Sequence, residues 1–146
     1  MVSDERAAEY ERIRETLIAW ARDQEDIQGV AVVGSWARSA ARMDSDIDVV
    51  VLTGAKDRYL TGADWVEGSL AQPAEVVRTQ KWGPLTEHRA LLPSGLEVEF
   101  GFAGPEWAAT DPVDPGTAGV VLDGCIPLVD PGDLFMRPIQ AVRMTY

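Results

Sequence analysis

Two aspartates two positions apart are the first residues of this sequence that could do chemistry. Asp46 and Asp48 begin an apolar run that continues to Leu52. Side chains two apart in a strand project from the same face, and carboxylates are hard oxygen ligands of the kind that Mg²⁺ prefers. A chain with 24 acidic residues forms such pairs by chance, so the surrounding sequence must decide whether the pair is functional.

A Gly-Ser dipeptide lies upstream of the two aspartates. Gly34 and Ser35 directly follow the apolar run Gly29–Val33, which is typical of a strand buried on both faces. Glycine lets the chain turn sharply after such a strand, and we expect Ser35 to open a short helix over residues 36–42. The free N–H groups and the dipole of that helix would favour phosphate, with the Ser35 hydroxyl as a further donor.

Basic residues near this turn are candidates for phosphate contact. Arg38 and Arg42 lie on or beside the expected helix. Guanidinium groups bind phosphate oxygens well, although arginines on an exposed helix are often only solvated side chains. Both interpretations stay open, and Arg38 is the stronger candidate of the two.

The order and spacing of these segments resemble a known family. Gly34-Ser35 is followed by ten residues and then by Asp46-Ile47-Asp48. The stretches Val32-Val-Gly-Ser-Trp-Ala-Arg38 and Asp44-Ser-Asp-Ile-Asp-Val-Val-Val51 resemble the signature of the nucleotidyltransferase superfamily, which includes DNA polymerase β, the aminoglycoside nucleotidyltransferases and the minimal nucleotidyltransferases of toxin–antitoxin pairs. The resemblance covers residues 28–52 well, extends to about 103 through the order of the strands, and leaves the remainder unassigned.

This resemblance implies a third carboxylate on a neighbouring strand. Leu96–Phe100 offers Glu97 and Glu99, which share one face of the expected strand. Glu99 is favoured because it lies deeper in the apolar run, and Glu97 is the alternative. A half-exposed edge strand with salt-bridged glutamates would explain the same pattern without a functional role.

The chemistry that the resemblance implies is metal-dependent nucleotidyl transfer. An acceptor hydroxyl attacks the α-phosphate of a nucleoside triphosphate and expels pyrophosphate, with AMP from ATP as the favoured transfer. Asp46, Asp48 and Glu99 would be the metal ligands and Gly34, Ser35, Arg38 and Arg42 the nucleotide-binding residues. Two Mg²⁺ ions would sit ~3.5–4 Å apart. Glu97 is kept as an alternative catalytic carboxylate.

The net charge bears on the acceptor. A formal charge of -11 and a pI near 4.4 disfavour bulk nucleic acid as a partner. Such a charge steers cationic molecules toward the protein, so we expect an acceptor such as an aminoglycoside, or else a protein surface. Antibiotic-modifying members of the superfamily usually carry a helical domain that this sequence lacks, which suggests a homodimer or a separate helical partner. The alternative function is an antitoxin-like subunit that binds a helical toxin.

The composition places the chain among globular proteins. Its 146 residues suit a single nucleotidyltransferase-like domain, with a core at about 28–103 and an extension at 104–146. No apolar run approaches the ~20 residues of a membrane-spanning helix, and the acidic N-terminus does not resemble a secretory signal. A single cysteine, Cys125, agrees with a reducing compartment, so we expect a cytoplasmic protein.

The elements that must position these residues follow from periodicity and turn signals. We expect an opening amphipathic helix over residues 3–22 and a short helix at 63–70. Three β segments, punctuated by glycine and proline, predict an antiparallel meander: 74–80, 85–92 and 96–103. The extension should add a strand at 118–122 and a helix near 134–142. The predicted fold class is α/β (α+β). The resemblance implies a nucleotidyltransferase-like mixed sheet flanked by helices, with an antiparallel extension.

Overall fold

A computed structural model of the chain describes residues 2–62, 64–82 and 85–145. The strands are β1 (Ile27–Val33), β2 (Ile47–Thr53), β3 (Glu75–Trp82), β4 (Leu85–Leu91), β5 (Glu97–Ala103) and β6 (Cys125–Val129). The helices are α1 (Asp4–Arg22), α2 (Asp57–Leu60), α3 (Asp64–Leu70), α4 (Pro115–Asp123) and α5 (Met136–Thr145), with a 3-10 helix at Pro105–Ala108. Among the described residues, no helix is long and apolar enough to cross a membrane.

The described strands form one mixed sheet in the order β3-β4-β5-β2-β1-β6. The central strands β2 and β5 run parallel, and every other neighbouring pair is antiparallel. β3, β4 and β5 form the predicted antiparallel meander, and β6 adds an edge strand from the extension beside β1. The predicted mixed sheet flanked by helices is therefore confirmed.

Helices cover the two faces of the sheet unequally. On one face, α1 packs Ile13 and Leu17 against the strands, and Tyr59 and Val66 complete this layer. On the other face, the 3-10 helix, α4 and α5 cover the apolar half of the sheet, where the fully buried Phe135 lies. The beginnings of β2 and β5 carry half-buried polar side chains on this second face, so one corner of the sheet is left open.

The helix expected over residues 36–42 is wrong. The segment forms consecutive tight turns, in which two successive N–H groups donate to the carbonyl of Gly34 at 3.0 and 3.1 Å. Ser39 then adopts a left-handed conformation with φ of 58°, which ends any helical path. Trp36 stacks on Tyr10 of α1 with ring centroids 4.3 Å apart, so packing rather than helix propensity sets the path of this segment.

The strand expected at residues 118–122 is also wrong, because these residues belong to α4. Asp114 caps the helix and Pro115 stands at its first position, where the fixed φ of proline suits a helix. Ala118 and Val121, three residues apart, pack into the core. The additional strand of the extension follows as β6, and the predicted terminal helix is present as α5 at slightly later residues.

We expect the cap of α4 to be measurable in the free energy of unfolding. The Asp114 carboxylate accepts hydrogen bonds from the N–H groups of Gly116 and Thr117, at 2.9 and 3.2 Å. Asp114→Ala should cost about 1 kcal/mol in urea unfolding, whereas Asp114→Asn, which keeps an acceptor, should cost a few tenths at most. Equal losses in the two variants would show that the cap is not what stabilises α4.

Candidate active site

Acidic side chains from two neighbouring strands meet at the open corner of the sheet. The parallel register places Asp48 of β2 beside Glu99 of β5, and the Asp48 carboxyl hydrogen-bonds to Glu99. Asp46 and Glu97 precede them by two residues, and both contact the guanidinium of Arg89. The structure thus brings together the four acidic residues that the sequence singles out.

Arg89 of β4 lies among these carboxylates. Its Nη1 is 3.0 Å from Asp46 and 2.7 Å from Glu97, and its Nη2 is 3.0 Å from Glu99. The antiparallel register of β4 and β5 places Arg89 directly opposite Glu99, so strand pairing fixes the base of this side chain. One guanidinium therefore bridges acidic groups from β2 and β5.

Two further residues complete the cluster, and the sequence reasoning missed both. Glu87 shares the face of Arg89 on β4 and hydrogen-bonds to Glu99. Arg78 of β3, opposite Arg89 in the register, contacts Glu99 at 2.8 Å. The alternation of Glu87 and Arg89 around the buried His88 was the available signal, because it predicts a polar face on β4.

Burial and mutual repulsion shift the pKa values of these carboxyl groups. Burial, followed by the nearby charges of Glu99 and Asp46, raises the pKa of Asp48 to about 7. Burial and the hydrogen bond to Glu99 raise the pKa of Glu87 to about 8. Burial also acts on Glu99, but the hydrogen bond with Glu87 and the guanidinium of Arg89 outweigh it and lower its pKa. Glu99 is thus the anionic centre of the cluster.

Gly34 lies against the Asp48 carboxylate. Its φ of +74° is the left-handed conformation that favours glycine, and a Cβ built there would stand 2.6 Å from Oδ2 of Asp48. Its N–H donates to the carbonyl of Gly124, 3.3 Å away, at the end of α4. The turn after β1 is therefore fixed both against α4 and against the acidic cluster, and only glycine fits there.

The other residues predicted to bind nucleotide lie on or near this turn, with different environments. Ser35 is half-buried, and within the described part of the chain neither its hydroxyl nor its N–H forms a hydrogen bond. Arg38 is exposed and donates to the carbonyl of Asp123 at 3.4 Å. Arg42 pairs with the exposed Asp44 at 3.6 Å. In the residues that the structure describes, neither arginine contacts the acidic cluster.

A cavity of about 160 Å³ lies beside the acidic side chains. Asp48, Glu87 and Glu99 form its polar wall, and Val33 and Trp107 contribute to its apolar wall. The carboxyl groups therefore face a recess that is partly shielded from solvent, where electrostatic interactions are stronger than on an open surface.

The donor set fits a divalent cation. Within residues 2–62, 64–82 and 85–145, no three His, Cys, Asp or Glu side chains converge as a ready-made metal centre. The chemistry is nonetheless suitable, because Asp48 and Glu99 are adjacent hard oxygen donors. A cation bound between them would reduce the repulsion that, after burial, contributes to the raised pKa of Asp48.

Comparison with known proteins identifies the family. The model of the nucleotidyltransferase domain matches residues 13–89, more than half of the chain. The chain belongs to the nucleotidyltransferase domain family. The match includes Gly34, Asp46, Asp48 and Arg89, whereas β5 with Glu97 and Glu99 follows it. Membership implies an enzyme that uses nucleoside triphosphates, and this family typically works with a divalent metal.

Two solved structures have a similar fold. A cytoplasmic RNA terminal U-transferase aligns with a TM-score of 0.52 at 14% identity, over 83% of this chain and 33% of that chain. The Cid1 poly(U) polymerase aligns with a TM-score of 0.51 at 15% identity, over 83% of this chain and 35% of that chain. This nucleotidyltransferase domain therefore spans about a third of the length of these two structures. No curated protein matches the chain at a significant level.

The contact between Gly34 and Asp48 can be tested by substitution. Gly34→Ala should reduce the free energy of unfolding by more than about 1 kcal/mol, because it combines backbone strain with a clash. Gly95→Ala is the matched control: Gly95 also has a positive φ, of +90°, but no atom lies within 4 Å of a Cβ built there. Chemical denaturation should show the larger loss at Gly34.

The additional loss of unfolding free energy in Gly34→Ala, relative to Gly95→Ala, should depend on Asp48. In an Asp48→Ala background, the nearest clashing atoms of Asp48 are removed, so Gly34→Ala and Gly95→Ala should cost similar amounts. If the excess loss at Gly34 persisted in that background, the close approach to Asp48 would not be its cause.

Proposed function

We propose that this nucleotidyltransferase transfers a nucleoside monophosphate, with AMP from ATP as the favoured reaction, to a hydroxyl group in a Mg²⁺-dependent step. The observation that carries the proposal is the juxtaposition of Asp48 and Glu99 on parallel neighbouring strands, directly beside the turn at Gly34. Carboxylates next to a phosphate-binding turn are the arrangement that metal-assisted phosphoryl transfer needs.

Asp46, Asp48 and Glu99 are the residues that would hold Mg²⁺. When bound, the metal would stabilise negative charge on the reacting phosphate and make the acceptor hydroxyl easier to deprotonate. Glu99 is a better candidate than Glu97 for the third ligand, because its side chain is 13% exposed against 30% and it is paired directly with Asp48.

The turn after β1 would hold the triphosphate. The N–H groups of Ser35 and Trp36 have no hydrogen-bond partner within the described residues, so they are available to an anion. The Ser35 hydroxyl adds a third donor. Arg38 is exposed and extends from the same turn toward the end of α4, where it could pair with the outer phosphates.

The acceptor would approach from the open corner of the sheet. The carboxylate of Glu99 is the chain's own group for orienting the acceptor hydroxyl, since its lowered pKa keeps it ionised and able to accept a hydrogen bond. The charge of -11 favours a cationic small molecule, such as an aminoglycoside, or a protein surface. The similar structures are named for RNA-terminal and poly(U) synthesis, so an RNA 3′ hydroxyl and UTP belong in the same test.

The basic experiment measures pyrophosphate release. The protein is incubated with Mg²⁺ and each nucleoside triphosphate against cationic aminoglycosides, candidate proteins and a short RNA, and the labelled product is identified. Nucleotide binding without turnover on any acceptor would instead favour the alternative, a subunit that acts by binding a helical partner.

The two aspartates should be required for turnover and not for folding. Asp46→Asn and Asp48→Asn should each lower the rate of pyrophosphate release by at least about 100-fold, because each removes a charged group that stabilises the transition state. Asp44→Asn is the control, since the Asp44 side chain lies in the same loop and is 79% exposed. Thermal unfolding should show all three variants folded, and full activity in Asp48→Asn would refute the assignment.

The two glutamates of β5 should differ in the same assay. Glu99→Gln should resemble the aspartate variants, whereas Glu97→Gln should retain activity within about tenfold of the unmodified protein. Each variant removes one carboxylate contact of Arg89, and Glu99→Gln also removes the ion pair with Arg78, so thermal unfolding of both variants is compared alongside the assay. The reverse order of losses would assign the third carboxylate to Glu97.

A further inference from the structure

Arg89 is the cation that the acidic cluster already contains. Its two terminal nitrogens contact Asp46, Glu97 and Glu99 at 2.7–3.0 Å, and its side chain is 22% exposed. Asp46 directly precedes β2, and Glu97 and Glu99 belong to β5, the strand paired with it. A divalent cation held by the proposed ligands would lie against the same two strands. The guanidinium and a metal therefore compete for the carboxylates of Asp46 and Glu99.

Arg78 provides a contrast within the same cluster. It carries the same charge, but among the described residues its one ion pair is with Glu99, and its side chain is 46% exposed. Solvent screens such a contact strongly, whereas the less exposed contacts of Arg89 are screened less. The two arginines thus differ in how much of the local negative charge each one neutralises.

The hydrogen bonding of Arg89 is incomplete. Its Nε is buried and has no hydrogen-bond partner in the part of the chain that the structure describes. A buried donor without a partner carries a desolvation cost, which offsets part of the gain from the three ion pairs. Ion pairs therefore hold the guanidinium in place, while one of its hydrogen-bond donors is unpaired. Another cation can compete with it for the carboxylates.

We propose that Arg89 is the counter-cation of the acidic cluster in the metal-free protein, and that divalent cations bind Asp46 and Glu99 by displacing it from these two carboxylates. This inference rests on the proposed function, since it concerns the same carboxylates. It explains why no three acidic groups in the described residues converge as a metal centre, because their oxygen atoms are directed to Arg89. Arg89 then sets the threshold concentration at which a metal can bind.

The test measures binding of Mn²⁺ alone, without nucleotide, by electron paramagnetic resonance of the free ion. Arg89→Gln should tighten Mn²⁺ binding by about tenfold or more, because a competing charge within ~3 Å of the ligands is removed. Arg78→Gln, which removes the same charge from a more exposed position, should tighten binding by less than about threefold. The melting temperature of Arg89→Gln should fall without metal and recover when Mn²⁺ is added.

The outcomes separate this inference from the proposed function. If the unmodified protein binds Mn²⁺ but Arg89→Gln binds it no more tightly than Arg78→Gln, only the displacement by metal is refuted. If neither the unmodified protein nor Arg89→Gln binds Mn²⁺, the proposed metal-dependent function falls.

A measurement on the unmodified protein covers the case in which Arg89→Gln does not fold. The side-chain NMR signals of the arginines are followed while Mg²⁺ is added to ¹⁵N-labelled protein. The Nε–H signal of Arg89 should move as its ion pairs are lost, with a smaller change at Arg78. An Arg89 signal that stays unchanged while signals of the acidic residues shift to saturation would overturn the proposal.

Discussion

The repulsion between carboxyl groups on one corner of the sheet is the constraint on which this site depends. Acidic side chains outnumber the guanidinium groups that neutralise them; the acidic members are Asp46, Asp48, Glu87, Glu97 and Glu99, and the basic members are Arg78 and Arg89. Burial, together with the negative charges of Glu99 and Asp46, raises the pKa of Asp48 to about 7. The cluster therefore carries an excess of negative charge, and a cation bound from solution would neutralise it.

The rest of the fold provides the stability that this corner does not. On the opposite face of the same strands, Val49, Val98 and Phe100 are fully or almost fully buried. Each buried side chain of this size contributes roughly 1.5–3 kcal/mol, enough for a few of them to outweigh the cost of clustered charge. Because polar and apolar side chains alternate at the beginnings of β2 and β5 and both strands continue with buried residues, the strands that carry the site also anchor the core.

Much of this arrangement could be predicted from local patterns, and the failures have physical causes. The alternation around Asp48 and Glu99 predicted one acidic face, because strand periodicity is a local property. The antiparallel pairing of β4 with β5 was predicted, but the convergence of Glu87 and Arg89 on that face depends on the register of the pair, which no local pattern specifies. The helix expected after Ser35 failed because a tertiary contact, the stacking of Trp36 on Tyr10, overrides weak propensity.

The parallel pairing of β2 and β5 also limits how this protein can vary. If β2 slipped by one residue, Val49 would take the place of Asp48, and the carboxylate would turn toward the layer beneath α1, among aromatic rings. Insertions within the strand are therefore far more damaging than insertions in the largely exposed turn residues 38–44, which lie outside the hydrogen-bonded ladder. Changes of length should accordingly accumulate in that segment, while the turn at Gly34 and the register of the two strands stay the same.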